Sequence, residues 1–268
     1  MELVLRQICL VAPQLGPAVE CLTSVLGIAV CYRDPGVEQW GLENAVMPVG
    51  DEFLEVVAPT RAGTAAGRYL ERRGGPGGYM VITLCDDAGE RDQQLDSLGV
   101  EVAFRHRTGG MDICQLHPAS TGGSFFEIDW QPELLRGPDD WGAAGGPARV
   151  AAARRSEVVT GISAAELQSP EPGRLAKRWA AIAGQGLEMD AAGDPALPLG
   201  AAQIRFLPCS DGRPEGLGGV DLQVADAPRL LAEAERRGCA VHDQEVELCG
   251  LRFRLLTESV GANGRSTP

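Results

Sequence analysis

Apolar and polar positions along this chain alternate in short runs, interrupted at regular intervals by helical spacing. Residues 3–11, LVLRQICLV, alternate and are rich in β-branched side chains, which predicts a strand ended by Pro13. Val19, Leu22, Val25 and Leu26 then recur at helical spacing within 16–28, and Gly27 supplies a C-terminal stop. A short strand over 29–34 is closed by the turn signature Asp34-Pro35-Gly36. LENAVMPVG and EFLEVVAP form a hairpin that turns at Gly50-Asp51. The unit reads β-α-β-β-β.

The same phrase returns after a polar, Gly-rich connection over 60–78 that carries one helical stretch, AAGRYLERR. GYMVITLCD is a strand, AGERDQQLDSLGV a helix ending at Gly99, and EVAFRHR, DICQLHP and SFFEIDW are three further strands. In both units the closing strand bears a central glutamate. Gln7 and Glu55 are 48 positions apart, and Met80 and Glu127 are 47 apart. An internal repeat of this length fixes architecture before any single residue is interpreted. Two fainter copies follow. The third runs from VTGISAAEL through the helix EPGRLAKRWAAIAG to AQIRFLP, and the fourth from GGVDLQVAD through APRLLAEAERRG to LRFRLL. The fold class expected is α+β, built from four βαβββ modules. Residues 1–132 hold the first two modules and 157–258 a degenerate second pair. Residues 133–156, rich in Gly, Ala, Pro and charge, read as a linker that Trp141 pins in place, and 259–268 as a disordered tail.

Composition narrows the function classes. The 268 residues carry 44% hydrophobic and 23% charged side chains, as a soluble globular protein does. A formal net charge of −13 repels phosphate backbones and argues against nucleic-acid partners. No apolar run reaches membrane-span length, and MELVLRQICL lacks a basic n-region and a cleavage site, so a cytoplasmic protein is expected. The eight cysteines fall singly, with no Cys-x-x-Cys pair, and are read as reduced thiols behaving as small hydrophobes.

Paired strand-helix-strand-strand-strand units resemble the vicinal oxygen chelate superfamily, which includes glyoxalase I, methylmalonyl-CoA epimerase, extradiol dioxygenases and the bleomycin-binding proteins. The resemblance is carried by Gln7 in RQICLV, the LTSVLG helix end, Glu55 in FLEVV, the strand YMVITLCDD, and HPASTGGSFFEID. It covers 3–130 strongly and 157–256 weakly. It implies that the four modules form two paired domains with cupped mixed sheets, and a site inside the N-terminal cup at one residue from the first and one from the last strand of each module: Gln7, Glu55, Met80 and Glu127. A Gln/Glu/His/Glu set would resemble a eukaryotic-type glyoxalase I, and Met80 stands where that pattern has histidine. Gln7, Glu55 and Glu127 are the candidate metal ligands, and Glu127 and Glu55 the candidate catalytic proton carriers. Tyr79, Met80, His117 and Trp40 are the candidate substrate-binding residues. Oxygen donors suit Mg²⁺ or Mn²⁺, and Zn²⁺, Ni²⁺ or Fe²⁺ enter if a nitrogen ligand joins; no nucleotide cofactor is expected.

A thioether matches two carboxylates poorly. Two mid-strand glutamates pointing inward demand compensation, which a metal, water in an open cup or a proton held at raised pKa each supplies. Two functions follow. One is a metal-assisted lyase, isomerase or hydrolase acting on a small oxygen-rich molecule. The other is a metal-free small-molecule binding protein, for sequestration or sensing, as the bleomycin-binding branch implies. In either case a homodimer is a possible assembly. The corresponding positions of the last two modules align as Ser163, Arg205, Gly219 and Arg254, none of them a good ligand. The alternation in IRFLP and LRFRLL favours both arginines facing solvent; facing inward, they would need an acid such as Asp221 between them.

Overall fold

The computed structural model describes residues 1–108, 110–131 and 140–257. The expected tail 259–268 and the first part of the expected linker, 133–139, lie outside the described residues. Among the described residues no helix is long and apolar enough to cross a membrane.

The first half folds as β1 (Leu3–Val11), α1 (Leu15–Leu26), β2 (Leu42–Val49), β3 (Glu52–Pro59), α2 (Ala65–Arg73), β4 (Gly77–Cys85), α3 (Ala88–Ser97), β5 (Val102–Arg107), β6 (Asp112–Leu116), α4 (Pro118–Thr121) and β7 (Phe125–Trp130). The strands form one sheet in the order β2-β3-β1-β4-β7-β6-β5. The chain crosses to the second half through α5 (Pro147–Ala153). There β8 (Val159–Ser169), α6 (Pro172–Ala183), β9 (Glu188–Met189), β10 (Pro195–Leu199), β11 (Ala202–Pro208), β12 (Gly216–Val224), α7 (Ala227–Arg236), β13 (Val241–His242), β14 (Glu245–Leu248) and β15 (Leu251–Thr257) give a second sheet, β13-β14-β15-β12-β8-β11-β10-β9. In both sheets the first strand of one module pairs antiparallel with the first strand of the next, and each closing strand returns parallel to its own opener. This is the expected α+β architecture of paired modules. In the first module, the strand expected at 29–34 shrinks to a single bridge between Tyr32 and Val46. Asp34 caps a 3-10 helix over Pro35–Trp40 by accepting from the Gly36 N–H at 2.8 Å, and proline fixes the first helical φ, so the chain turns there instead of extending.

The helices sit where the apolar spacing places them. In α1 the buried positions are Leu15, Ala18, Val19, Leu22, Val25 and Leu26, and Gly27 ends it in the left-handed conformation at φ 67°. A Cβ on Gly27 would lie 2.7 Å from Val158 of the second half. The inward faces of both sheets and the faces of α1, α3, α6 and α7 share one hydrophobic core. Trp179 of α6 is fully buried and stacks on Phe126 of β7 with ring centroids 4.3 Å apart. Burying a side chain of that size contributes on the order of 3 kcal/mol across the boundary between halves. At the centre β4 and β12 cross closely: a Cβ on Gly78 would fall 2.3 Å from Leu217 Cγ and 2.6 Å from its carbonyl oxygen. The sheets therefore stand back to back, and period-two alternation turns their other faces outward as two cups.

Candidate functional site

Strand register decides which side chains share the N-terminal cup. Cys9 of β1 pairs with Glu55 of β3 on one side and Met80 of β4 on the other. Two positions along, Gln7 pairs with Ile82, which pairs with Glu127 of β7 and through it with Gln115 of β6. Because alternate residues share a face, Gln7, Cys9, Glu55, Met80, Ile82, Gln115, Glu127 and Asp129 all enter one cavity of about 250 Å³. Its walls are apolar and come from both modules: Val37, Trp40 and Leu42 from the first, and Tyr79, Phe104, Met111, Ile113 and Phe125 from the second. Trp40 and Phe104 meet edge to face at the rim, with centroids 5.1 Å apart.

The roof comes from beyond the sheet. Trp141 and Ala143 line the cavity, and Trp141 is 2% exposed. Val150 of α5 joins the cluster of Cys9, Val11, Phe53, Met80 and Ile82 on the cup face. Arg149 lies over the Tyr32 ring at 5.0 Å, which ties this segment to the first module.

The side-chain amides of the cup floor each donate to a carboxylate. The indole Nε1 of Trp141 donates to Gln7 Oε1 at 2.7 Å. An indole nitrogen only donates, so the contact fixes the Gln7 amide with its oxygen toward Trp141 and its nitrogen toward Glu55. Gln7 Nε2 then donates to Glu55 Oε2 at 2.8 Å, and Asn44 Nδ2 to Glu55 Oε1 at 2.6 Å. Burial pushes the Glu55 carboxyl above its ordinary range, while these amides hold it back. The Cys9 thiol beside it is driven well up, first by burial and then by the Glu55 charge.

Across the cup, Gln115 Nε2 donates to Glu127 Oε2 at 3.0 Å and lies 3.5 Å from Met80 Sδ. Glu127 and Asp129 stand two apart on β7 and face each other. Asp129 Oδ1 accepts from the Cys114 N–H at 3.0 Å, but no donor reaches its fully buried Oδ2 except a proton shared with Glu127. Two carboxyl oxygens sit together only with a proton between them. Burial, and then the Glu127 charge, raise the Asp129 carboxyl well above its usual range, so Asp129 holds that proton and donates it to Glu127. The pair carries one negative charge between two side chains.

A sequence profile described as a glyoxalase-like domain matches residues 8–183. The chain belongs to this family, within the vicinal oxygen chelate superfamily. The match runs through the N-terminal cup and its roof into α6 of the second half. Among solved structures, the Mn(II)-bound glyoxalase from Novosphingobium aromaticivorans superposes over 95% of this chain and 82% of its own, with TM-score 0.66 and 14% identity. A hypothetical protein from Staphylococcus aureus superposes over 96% of this chain and all of its own, with TM-score 0.62 and 12% identity. Methylmalonyl-CoA epimerase from Mycobacterium tuberculosis covers 49% of this chain and 91% of its own, at TM-score 0.43 and 22% identity. No curated protein sequence matches the chain.

Of the residues singled out from sequence, this glyoxalase-like chain gathers Gln7, Glu55, Met80, Glu127, Tyr79 and Trp40 around one cavity. His117 stands elsewhere: it caps α4, its Nδ1 accepting from the Ala119 N–H at 3.1 Å. Asn44, Gln115, Asp129 and the roof role of Trp141 were not singled out. Asp129 was within reach, because it follows Glu127 at the two-residue spacing that keeps a strand residue on the same face.

As a donor set the floor does not fit a divalent ion. The Gln7 oxygen is engaged by Trp141, a shared proton already offsets the charge of the Glu127–Asp129 pair, and a thioether occupies the fourth position. Among the described residues, no group of three or more His, Cys, Asp or Glu side chains is arranged to hold a metal.

The second cup corrects the sequence reading of its arginines. Arg205 is 4% exposed and faces inward. Its Nη1 lies 2.6 Å from Glu166 Oε1 and 3.3 Å from Asp221 Oδ2, and its Nε 2.6 Å from Asp190 Oδ2. Arg254 is only partly exposed and binds Asp221 through both Nε, at 2.8 Å, and Nη2. Asp221 does sit between the two arginines. The register also moves one equivalence: Glu166 pairs with both Arg205 and Gly219 as Cys9 does with Glu55 and Met80, so Ala164, not Ser163, takes the place of Gln7.

Proposed function

We propose that the N-terminal cup is a metal-free binding site for a small, largely apolar molecule that presents a cationic amine or another strong hydrogen-bond donor to the floor. The observation that carries this is an apolar cavity of about 250 Å³ whose floor concentrates three carboxyl groups, Glu55, Glu127 and Asp129. Their side-chain donors, the amides of Gln7, Asn44 and Gln115, are already committed. A floor richer in acceptors than in donors selects ligands that donate. Trp40, Tyr79, Met80 and Phe125 supply the apolar contact around the head group, and Trp141 excludes water above it. The proton shared by the Glu127–Asp129 pair gives the same site a means of taking or returning a proton at the bound head group, should the ligand be transformed rather than held.

The metal-assisted reading draws on three oxygen-bearing side chains on one face and on the manganese of the solved N. aromaticivorans glyoxalase. It requires the Gln7 oxygen that Trp141 engages. Thermal-shift measurements on the full chain separate the two. With 2-phenylethylamine the melting temperature should rise, 3-phenylpropionate should leave it unchanged, and Glu55→Gln or Glu127→Gln should weaken the amine response at least tenfold in concentration. Stabilisation by Mn²⁺, Mg²⁺, Zn²⁺, Ni²⁺ or Fe²⁺ that disappears in Glu55→Gln would sink the metal-free reading.

A further inference from the structure

Three of the eight cysteines, far apart in sequence, meet at the seam between the two halves. Cys21 lies on α1, Cys239 follows the end of α7, and Cys249 sits in the two-residue turn between β14 and β15. All three are half-buried and pack against the shared core. Cys21 Sγ accepts thiol hydrogen bonds from both Cys249 and Cys239, and Cys249 Sγ also lies 3.8 Å from the carbonyl oxygen of Ala18, one turn back along α1.

The Cys249 position is unusual for its residue type. Leu248 pairs with Leu251, so Cys249 and Gly250 are the two loop residues, with φ of 51° and 69°. Such a turn needs the left-handed conformation at both central positions, which asparagine, aspartate and glycine adopt with least strain. Among the described residues, the only other non-glycine in that region is Asp243, an ordinary choice. Cysteine brings the turn no conformational benefit. What it brings is a sulfur held against α1.

We propose that Cys21, Cys239 and Cys249 form an oxidisable thiol cluster, and that a peroxide closes it as a Cys21–Cys249 disulfide joining the two halves. Cys21 is the attacking sulfur. The thiol hydrogen bond from Cys249 draws it down to about 6, against the cost of burial, with Cys239 and Arg237 adding to the effect and Glu20 opposing it. A thiol lowered in this way carries more of the thiolate, the nucleophilic form, than its neighbours do. The thiolate attacks one peroxide oxygen, the O–O bond breaks, and the leaving hydroxide takes from solvent the proton that Cys21 had released, becoming water and leaving a sulfenic acid on Cys21. Cys249, held protonated while it donates to the thiolate, is released once that charge is gone. Its sulfur attacks Cys21 and expels the second hydroxide, which takes up the thiol proton as water. Two thiols are oxidised and one hydrogen peroxide is reduced to two waters. Disulfides of this kind in a reducing compartment are transient and regulatory. This bridge ties α1 to the β14–β15 turn and so locks the seam beneath both cups.

The test treats the full chain with hydrogen peroxide and maps the peptides without reduction. The expected product is a Cys21–Cys249 cross-linked peptide, with Cys209, half-buried elsewhere and raised by burial, remaining a free thiol. Before oxidation, iodoacetamide at pH 7 should label Cys21 at least about three times faster than Cys209, the thiolate gain exceeding the loss of intrinsic nucleophilicity. Cys249→Asn keeps a residue suited to the turn, so the variant should fold; in it the Cys21–Cys249 cross-link should vanish and iodoacetamide should label Cys21 more slowly than in wild type, because the thiol that lowers Cys21 is gone. A wild-type protein in which Cys21 and Cys209 oxidise at equal rates, or in which Cys21 pairs with Cys239 instead of Cys249, would overturn the proposal.

Discussion

Positions that correspond by strand register carry opposite solutions in the two cups. In the first, the row Glu55–Cys9–Met80 is an acid, a thiol and a thioether beneath a cavity. In the second, the row Arg205–Glu166–Gly219 is an ion pair and a space, and the space is filled: a Cβ on Gly219 would lie 2.3 Å from Glu166 Oε2. Ile82 of the first cup corresponds to Asp221 of the second, which Arg205 and Arg254 share. Arg252 extends the network to Glu166 at 3.5 Å and to Gln168 at 3.1 Å. The first cup pairs its acids with amides and with one another, leaving acceptor capacity open to a ligand. The second pairs its acids with guanidinium groups and so consumes that capacity internally. The same backbone thus leaves an open cavity in one half and a closed ion-pair network in the other.

The largest expected break in this contrast is Arg205→Met. It strands Glu166, Asp190 and Asp221 without their shared cation, and removing one partner from a buried charge network costs about 3–5 kcal/mol; urea unfolding of the variant should show a loss of that size. Next comes pH. Burial and then the Asp221 charge raise Glu166 to about 7, even with Arg205 beside it, because several acids compete for that guanidinium. A raised acid keeps its proton in the folded state after the unfolded chain has lost it, so stability falls as pH rises from about 4.5 to about 7. Its contribution to that fall is on the order of 3 kcal/mol. Glu166→Gln should flatten the slope between pH 4.5 and 7, and a slope equal to wild type would show the network fully ionised throughout. The smallest effect belongs to the first cup. Trp141→Phe keeps an aromatic roof but removes the donor to Gln7 Oε1, leaving a buried acceptor unpaired at about 1–3 kcal/mol. Denaturant midpoints for the three variants rank the two solutions directly.

The fold was legible because its signals repeat: four alternating openers, four helices and four closing strands, with Gly27 and Gly184 ending two of those helices as left-handed caps. The acidic positions of the first cup were legible for the same reason, since near-equal spacing places Gln7, Glu55, Met80 and Glu127 at matching registers. What joins them was not. Asn44 and Gln115 reach the glutamates from neighbouring strands 11 and 12 residues away, and Trp141 reaches Gln7 across 134. The arginines show the limit most clearly. A period of two describes an inward charged row as well as an outward one, and only the partners decide between them. For Arg205 those partners, Glu166 and Asp221, are 39 and 16 positions away.

Trp141 also bears on how the protein can be divided. A fragment that stops at Trp130 would keep every acidic side chain of the first cup and every strand of its sheet, yet would lose the indole that sets the Gln7 amide. It would also strip Phe126 of the Trp179 ring stacked on it. Cutting at the natural-looking boundary would therefore separate a pocket's chemistry from its cover, and would yield a sheet with both faces wet.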